Sequence, residues 1–343
     1  MDQIKVNVIG MGIMGKGVAR ALASNPRARL TAVADLKGEN RDQGQAEFSL
    51  ERTYENYREM LEREKPDAVY VCTPDWAHAE PVLACLEAGI PVQVEKPLAT
   101  SEGEAAEIVR AARRTGVKLQ VSFNHRWLPV YHLAWKQVRA GKIGKPVTGY
   151  ARKNNPITVP TEMIPWARHS SPMWFLSCHD VDLMTWWLDE DPVEVKAHGY
   201  KGVLKGRLGW DTYDAMQALV RFAGGAFVTF EAAWIYPPAH PAMPDSFMAL
   251  IGEEGHIHMD RKMEQIEMST AEGIAWPRSL LNFEVFGRWI GAFPSCVNHF
   301  IDIVADGGEP AVTAMDGWRS TAILDAIHRS ADSGETITVS PPP

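Results

Sequence analysis

Three short stretches of the chain carry side chains that can hold a small molecule and move a proton on it. The run "VQVEKPLAT", residues 92 to 100, is apolar until it presents Glu95 and Lys96 and then stops at Pro97. An ammonium placed there can donate a hydrogen bond to a developing alkoxide or join a proton relay. In "VIGMGIMGKG" the glycines at 10, 12 and 15 have the G-x-G-x-x-G spacing, between an apolar run and an amphipathic one. Gly10 permits a tight turn, Gly12 lets backbone amides approach a pyrophosphate, and Gly15 lets a helix close on the strand. The backbone of Gly10, Gly12, Ile13, Met14 and Gly15 is thus expected to cradle phosphates at a helix N-terminus. Asp35 lies 20 residues past Gly15, where a carboxylate accepts hydrogen bonds from both hydroxyls of an adenosine ribose and repels a 2′-phosphate. NAD is the expected cofactor, with NADP left open by Lys37 and Arg41 nearby. In "CHDVD" His179 and Asp182 fall three apart on one helical face, while Asp180 is turned from His179 by about 100°. An imidazole oriented by a carboxylate is a proton carrier.

A chain of 343 residues exceeds what one hydrophobic core usually serves, so two domains are expected, 1–124 and 125–343. Apolar runs at 4–9, 30–35, 68–74, 91–97 and 118–124 show little polar alternation, and helical patterns separate them. That is the grammar of a doubly wound parallel sheet, a Rossmann domain in the α/β class. Such sheets bind ligands at the carboxyl ends of their strands, the edge that carries the glycine loop, Thr73-Pro74 and Glu95-Lys96-Pro97. The helix at 101–115 opens on Ser101 and Glu104 and closes on Arg113, Arg114 and Gly116, which suits its caps and dipole. After about residue 127, strands follow in succession at 144–154, 193–201, 214–235, 247–260 and 264–270. An Ala223-Gly224-Gly225 turn joins two of them, and helices are expected at 177–188, 293–306 and 314–332. Antiparallel pairing in an α+β second domain follows.

With 35 basic and 43 acidic side chains the net charge is −8, and no basic stripe suits a phosphate backbone, so nucleic acid is not expected as a partner. No segment approaches the roughly 20 apolar residues that span a bilayer, and no signal peptide is evident. A cytoplasmic protein without a membrane partner is expected. Cys72, Cys85, Cys178 and Cys296 are scattered without zinc spacing, which predicts reduced thiols and no metal.

The glycine loop, "VYVCTPDWAHAEPVLACLEAGIPVQVEKPLATSEGEA" (69–105), "VSFNHRW" (121–127), "HDVDLMTWWL" (179–188) and the long C-terminal stretch from Phe300 resemble the Gfo/Idh/MocA family, which includes glucose-fructose oxidoreductase and inositol dehydrogenase. The resemblance covers nearly the whole chain. It implies a Rossmann domain followed by a domain on a large open, mostly antiparallel sheet. It also implies a nicotinamide cofactor and a sugar, polyol or sugar acid oxidised or reduced between the domains. Homo-oligomers, dimers or tetramers, are expected through the open sheet. In the family the lysine matching Lys96 lies by the reacting hydroxyl, and a cis bond commonly precedes the proline matching Pro97. Residues matching Thr73, Pro74, His78, Glu95, Asn124 and Arg126 line the cofactor, and Trp166 falls where relatives place a tryptophan beside the nicotinamide. Relatives usually carry an acid four residues before the histidine; here that position is Phe175, and Ser177 replaces a common glycine. Lys96 and His179 are therefore the expected catalytic pair. Arg126, Lys153, Arg168 and Asp182, with Lys96 and His179, are expected on the substrate, the cations suiting an anionic group. Two alternatives stay open: a non-catalytic dinucleotide-binding regulatory protein, and a redox-neutral glycosidase or epimerase that oxidises its sugar transiently.

Overall fold

The computed structural model describes residues 3–164 and 166–343; Met1 and Asp2, at the start of the expected first domain, and Pro165 lie outside the described residues. The chain begins with β1 (Ile4–Ile9), α1 (Ile13–Ala23), β2 (Ala28–Ala34), α2 (Gly38–Phe48), β3 (Arg52–Tyr54) and α3 (Tyr57–Glu64). It continues through β4 (Ala68–Val71), α4 (Ala79–Glu87), β5 (Val92–Val94), α5 (Glu102–Thr115) and β6 (Leu119–Val121). The six strands form one parallel sheet in the order β3-β2-β1-β4-β5-β6. Val6, Val8, Val69, Val71, Val92 and Val94 are all fully buried, as strands covered on both faces require. The edge strand β3 was not foreseen, because "RTY" carries no apolar run. On α5, Ser101 Oγ accepts the Glu104 N–H at 3.2 Å and Gly116 closes the helix with φ +68°. Such an N-cap is worth about 1 kcal/mol.

After α6 (Pro129–Arg139) come β7 (Pro146–Pro156), α7 (Cys178–Leu188), β8 (Pro192–Tyr200), α8 (Val203–Leu208), β9 (Ala215–Phe222), β10 (Phe227–Tyr236), β11 (Asp245–Gly252) and β12 (His256–Asp260). Two small hairpins, β13 (Met268–Thr270) with β14 (Gly273–Ala275) and β15 (Phe283–Val285) with β16 (Arg288–Ile290), precede α9 (Ala292–Asp306), α10 (Ala314–Ser333) and β17 (Ile337–Thr338). The large sheet runs β12-β11-β7-β10-β9-β8-β17. Every neighbouring pair in it is antiparallel except β7 with β10. The run at 264–270 forms only the short β13, outside this sheet.

Compactness divides the chain differently from the expected boundary at 124/125. One unit runs through Leu128 and takes in Leu281–Trp318; the other is Pro129–Leu280 with Arg319–Pro342. The reason lies in α9, whose Phe293, Val297, Phe300 and Ile301 share one core with Val6, Val8, Val18, Leu22 and Tyr70. Tyr70 also donates its hydroxyl to the Val297 carbonyl at 2.8 Å. An amphipathic period shows that a helix buries a face, but not which sheet it covers.

In the second unit α7 packs on β7 and β10. On the opposite face of the sheet Leu219, Phe227 and Ile251 stand exposed at 46 %, 43 % and 45 %. Among the described residues no helix is long and apolar enough to cross a membrane. No group of three or more His, Cys, Asp and Glu side chains among them is placed to hold a metal ion. Cys72, Cys85, Cys178 and Cys296 are free thiols.

Candidate active site

The carboxyl edge of the parallel sheet is built around the turn from β1 to α1. Gly10 has φ +93°, and a Cβ on it would fall 2.6 Å from the Cys72 carbonyl oxygen of the neighbouring strand end. A Cβ on Gly15 would collide with the Gly10 carbonyl, whereas one on Gly12 would meet nothing within 4 Å. Gly12 thus faces open space, with Ile13 and Met14 exposed beside it. Asp35 closes the cradle from the end of β2. Its Oδ2 accepts the Met11 N–H at 2.7 Å and Asn40 Nδ2 at 3.1 Å, and its Oδ1 accepts the Lys37 N–H at 2.8 Å. The exposed Leu36 follows it. Arg41 is drawn away from any 2′-phosphate role: its Nη1 donates to the Asp35 and Leu36 carbonyls at 2.7 and 3.2 Å, and Glu55 lies 3.5 Å from Nη2. A hollow glycine turn at a helix N-terminus, an acid at the second strand end and exposed apolar flanks fit NAD.

Lys96 is half-buried just beyond β5, and the Lys96–Pro97 bond is cis. His78 holds this turn from beneath. The ring is 1 % exposed, with Nδ1 2.7 Å from the Pro97 carbonyl oxygen and Nε2 2.9 Å from the Thr73 carbonyl oxygen. The imidazole, which the resemblance places along the cofactor, engages main chain through both nitrogens and ties two strand ends together. Burial lowers the ring's pKa and outweighs the Pro97 and Thr73 carbonyls and the Asp75 charge, which raise it. Thr73 Oγ1 donates to the Ala77 carbonyl at 2.9 Å, and Pro74 starts the short turn Asp75–Ala77.

Glu95 belongs to a buried polar stripe that the sequence reading missed. Gln93 and Gln120 are register partners on β5 and β6, 1 % and 0 % exposed. Gln120 Nε2 donates to Gln93 Oε1 at 3.2 Å, and Gln93 Nε2 donates to Ser122 Oγ at 2.8 Å. Ser122 in turn bonds the Glu95 carboxylate. The signal was there in "VQV" and "LQV": a glutamine at the centre of a strand buried on both faces needs buried partners. Burial pushes the Glu95 carboxyl up to about 7, against the pull of the Lys96 charge. Asn124 is buried nearby in sequence, and Arg126, 5 % exposed, donates to the Ala311 carbonyl at 3.1 Å and pairs with Asp316 at 3.4 Å. That pairing holds the Asp316 carboxyl below its usual range despite burial.

In the second unit the start of α7 carries His179, half-buried, and the buried Asp180 and Asp182. A π-helical turn, Met173–Ser177, leads into it. Lys153, expected at an anionic substrate, is 2 % exposed, and its Nζ lies 2.5 Å from Asp180 Oδ1. Its charge is spent inside the unit because β7 runs directly under α7. Phe175 and Trp166 meet edge to face, ring centroids 5.8 Å apart, against an apolar cluster that includes Ile157, Ile164, Leu176 and Trp234. Four residues before His179, where the resemblance leads one to expect an acid, this chain has an aromatic contact. Arg168 is exposed and donates from Nε to His169 Nε2 at 2.9 Å.

The glycine turn and Asp35 fit an NAD-binding oxidoreductase, and the sequence comparisons agree. Residues 4–123 match the model described as oxidoreductase family, NAD-binding Rossmann fold, and residues 135–339 match its C-terminal alpha/beta domain. The chain belongs to the Gfo/Idh/MocA oxidoreductase family. It is 31 % identical over 341 residues to scyllo-inositol 2-dehydrogenase (NAD(+)) of Bacillus subtilis, covering 97 % of this chain and 95 % of that protein. It is 29 % identical over 347 residues to inositol 2-dehydrogenase of Rubrobacter xylanophilus, covering 99 % and 95 %. In fold it is similar to myo-inositol 2-dehydrogenase of Lactobacillus plantarum, with TM-score 0.85, 22 % identity and coverage of 99 % and 100 %.

Two predictions follow from the geometry. Gly12→Ala should keep the melting temperature within about 1 °C, because its Cβ meets nothing, yet weaken NAD binding at least ~10-fold by blocking close backbone approach. Gly15→Ala should cost about 1–3 kcal/mol of stability; calorimetry and NAD titration separate the two, and equal effects on both readouts would contradict the assignment. For Glu95, a carboxyl raised on folding stabilises below its unfolded pKa and loses that contribution as pH rises through about 7. Melting curves from pH 4.5 to 8 should therefore show the wild type falling behind Glu95→Gln by about 2 °C or more as pH rises. Parallel curves would mean that Glu95 ionises normally.

Proposed function

We propose that this chain is an NAD-dependent dehydrogenase of a neutral cyclic polyol of the inositol type, with Lys96 and His179 acting on one substrate hydroxyl. The observation that carries the reading is Lys96 itself: a half-buried ammonium at the carboxyl end of β5, on the sheet edge that bears the NAD cradle, in a turn held by His78. NAD, when bound, supplies the hydride acceptor. The protein's part is to orient the carbinol and handle its proton. Lys96 Nζ donates a hydrogen bond to the hydroxyl oxygen and stabilises the charge that grows there. The His179 imidazole takes the hydroxyl proton, with Asp182 on the same helical face to orient it. Trp166 and Phe175 supply an apolar wall for the C–H face of a ring.

The preference for a neutral polyol over a sugar acid follows from the cations. Lys153 is paired with Asp180 and Arg126 with Asp316, which leaves Arg168 as the one exposed cation of the three. The names of the relatives support inositol as the first substrate to try. A second copy of the chain is proposed to cover the outward face of the large sheet. Phe227 pairs with Thr148, Thr148 with Ile251, and Leu219 lies one strand over, so the exposed apolar side chains are contiguous.

Lys96→Ala should lower turnover of myo- or scyllo-inositol by at least ~100-fold while NAD affinity changes less than about 3-fold; an active Ala variant refutes the assignment. Aldonic or uronic acids that outpace both inositols would overturn the choice of a neutral substrate. In sedimentation the wild type should run as a dimer or larger, and Leu219→Lys/Phe227→Lys should shift it toward monomer. A monomeric wild type would contradict the interface.

A further inference from the structure

The Lys153–Asp180 pair lies in the interior of the second unit, 2 % and 0 % exposed, with 2.5 Å between Nζ and Oδ1. Removing two charges from water is costly, and apolar residues of similar volume often serve stability as well or better. Stability alone therefore gives no reason for the pair. Its position does. Asp180 directly follows His179 in the first turn of α7, and Lys153 projects from β7, an interior strand of the seven-stranded sheet. The helix start has no N-cap hydrogen bond: Ser177 donates its hydroxyl instead to the Glu231 carbonyl at 3.4 Å, and the π-helical turn Met173–Ser177 runs straight into the helix. Successive residues of a helix differ by about 100° in direction, so anchoring one of them to the sheet sets the heading of the next.

We propose that the buried Lys153–Asp180 ion pair is a positioning device for His179, pinning the first turn of α7 to β7 and so setting the direction of the imidazole. The proposal rests on the reading that His179 handles the substrate proton. The surrounding charges are balanced: Arg261 acts on Asp180 through space and is itself held by Glu264 at 2.7 Å and by the Tyr131 hydroxyl at 3.2 Å. Asp180 Oδ2 has no hydrogen-bond partner among the described residues, so Lys153 is the group that holds this carboxylate in place.

The test is the double variant Lys153→Met/Asp180→Leu, with Lys153→Arg as the charge-conserving control. His179 is followed by imidazole NMR, its signal assigned through His179→Asn. The double variant should melt within about 3 °C of the wild type and bind NAD equally well. Its His179 titration midpoint should move by about 0.5 unit or more, and kcat for myo- or scyllo-inositol should drop at least ~10-fold at unchanged KM for NAD. Lys153→Arg should retain most of both. A folded double variant with an unmoved His179 titration and unchanged kcat overturns the proposal. So does a joint loss of melting temperature, NAD binding and turnover in the double variant that Lys153→Arg shares, since the pair is then only structural. Normal turnover by His179→Asn would sink the catalytic reading instead, leaving the NMR result to judge the positioning claim by itself.

Discussion

A charge taken out of water must find a partner or change its protonation, and the chemistry of this chain is arranged around groups under that constraint. Glu95, Arg126, Lys153 and Asp180 are all at most 5 % exposed. Each has been given a specific answer: a serine hydroxyl for Glu95, Asp316 for Arg126, and one another for Lys153 and Asp180. Partners so demanding leave little freedom, because moving either member exposes an unmatched charge to a medium that solvates it poorly. Buried polar contacts therefore act here as fasteners for the two strand ends and the helix start that carry Lys96 and His179. His78 works in the same way with main-chain carbonyls in place of charges, joining the ends of β4 and β5 through one ring.

In the proposed function Phe175 changes the character of the substrate side. A carboxylate at that place would bring charge and demand a hydrogen-bonded companion; Phe175 instead packs on Trp166 within an apolar cluster. Under the proposed function, proton handling then falls on fewer groups, and their orientation matters more. The deep fixing of α7 by Asp180, one residue past His179, is intelligible in those terms. The same exchange of charge for aromatic surface suits a ring that presents C–H bonds on one face and hydroxyls at its rim.

Much of this was legible in the sequence, because its signals are local. The glycine spacing with Asp35 gave the cradle, uninterrupted apolar runs gave the parallel strands, and the Ala-Gly-Gly turn gave the β9–β10 hairpin. What escaped depends on partners distant along the chain. Nothing in the amphipathic period of α9 says that Phe293 and Phe300 lie against α1 and β1 and not on the second sheet. Lys153 reads as a cation for the substrate until Asp180, 27 residues later, is seen to receive it. That both nitrogens of His78 meet main-chain carbonyls is equally invisible in the sequence. Polar residues in apolar runs, Gln93 and Gln120 above all, were the available clue that a buried network existed, although not what it held.

The central claim is that one substrate oxygen is shared by the ammonium after β5 and the imidazole at the head of α7. A crystal structure of the complex with NAD and an inositol measures this directly. The account predicts Lys96 Nζ and a ring nitrogen of His179 each within about 3.2 Å of the same hydroxyl oxygen. An inositol bound with that oxygen near one of the two nitrogens and the other beyond the reach of even a bridging water would contradict it.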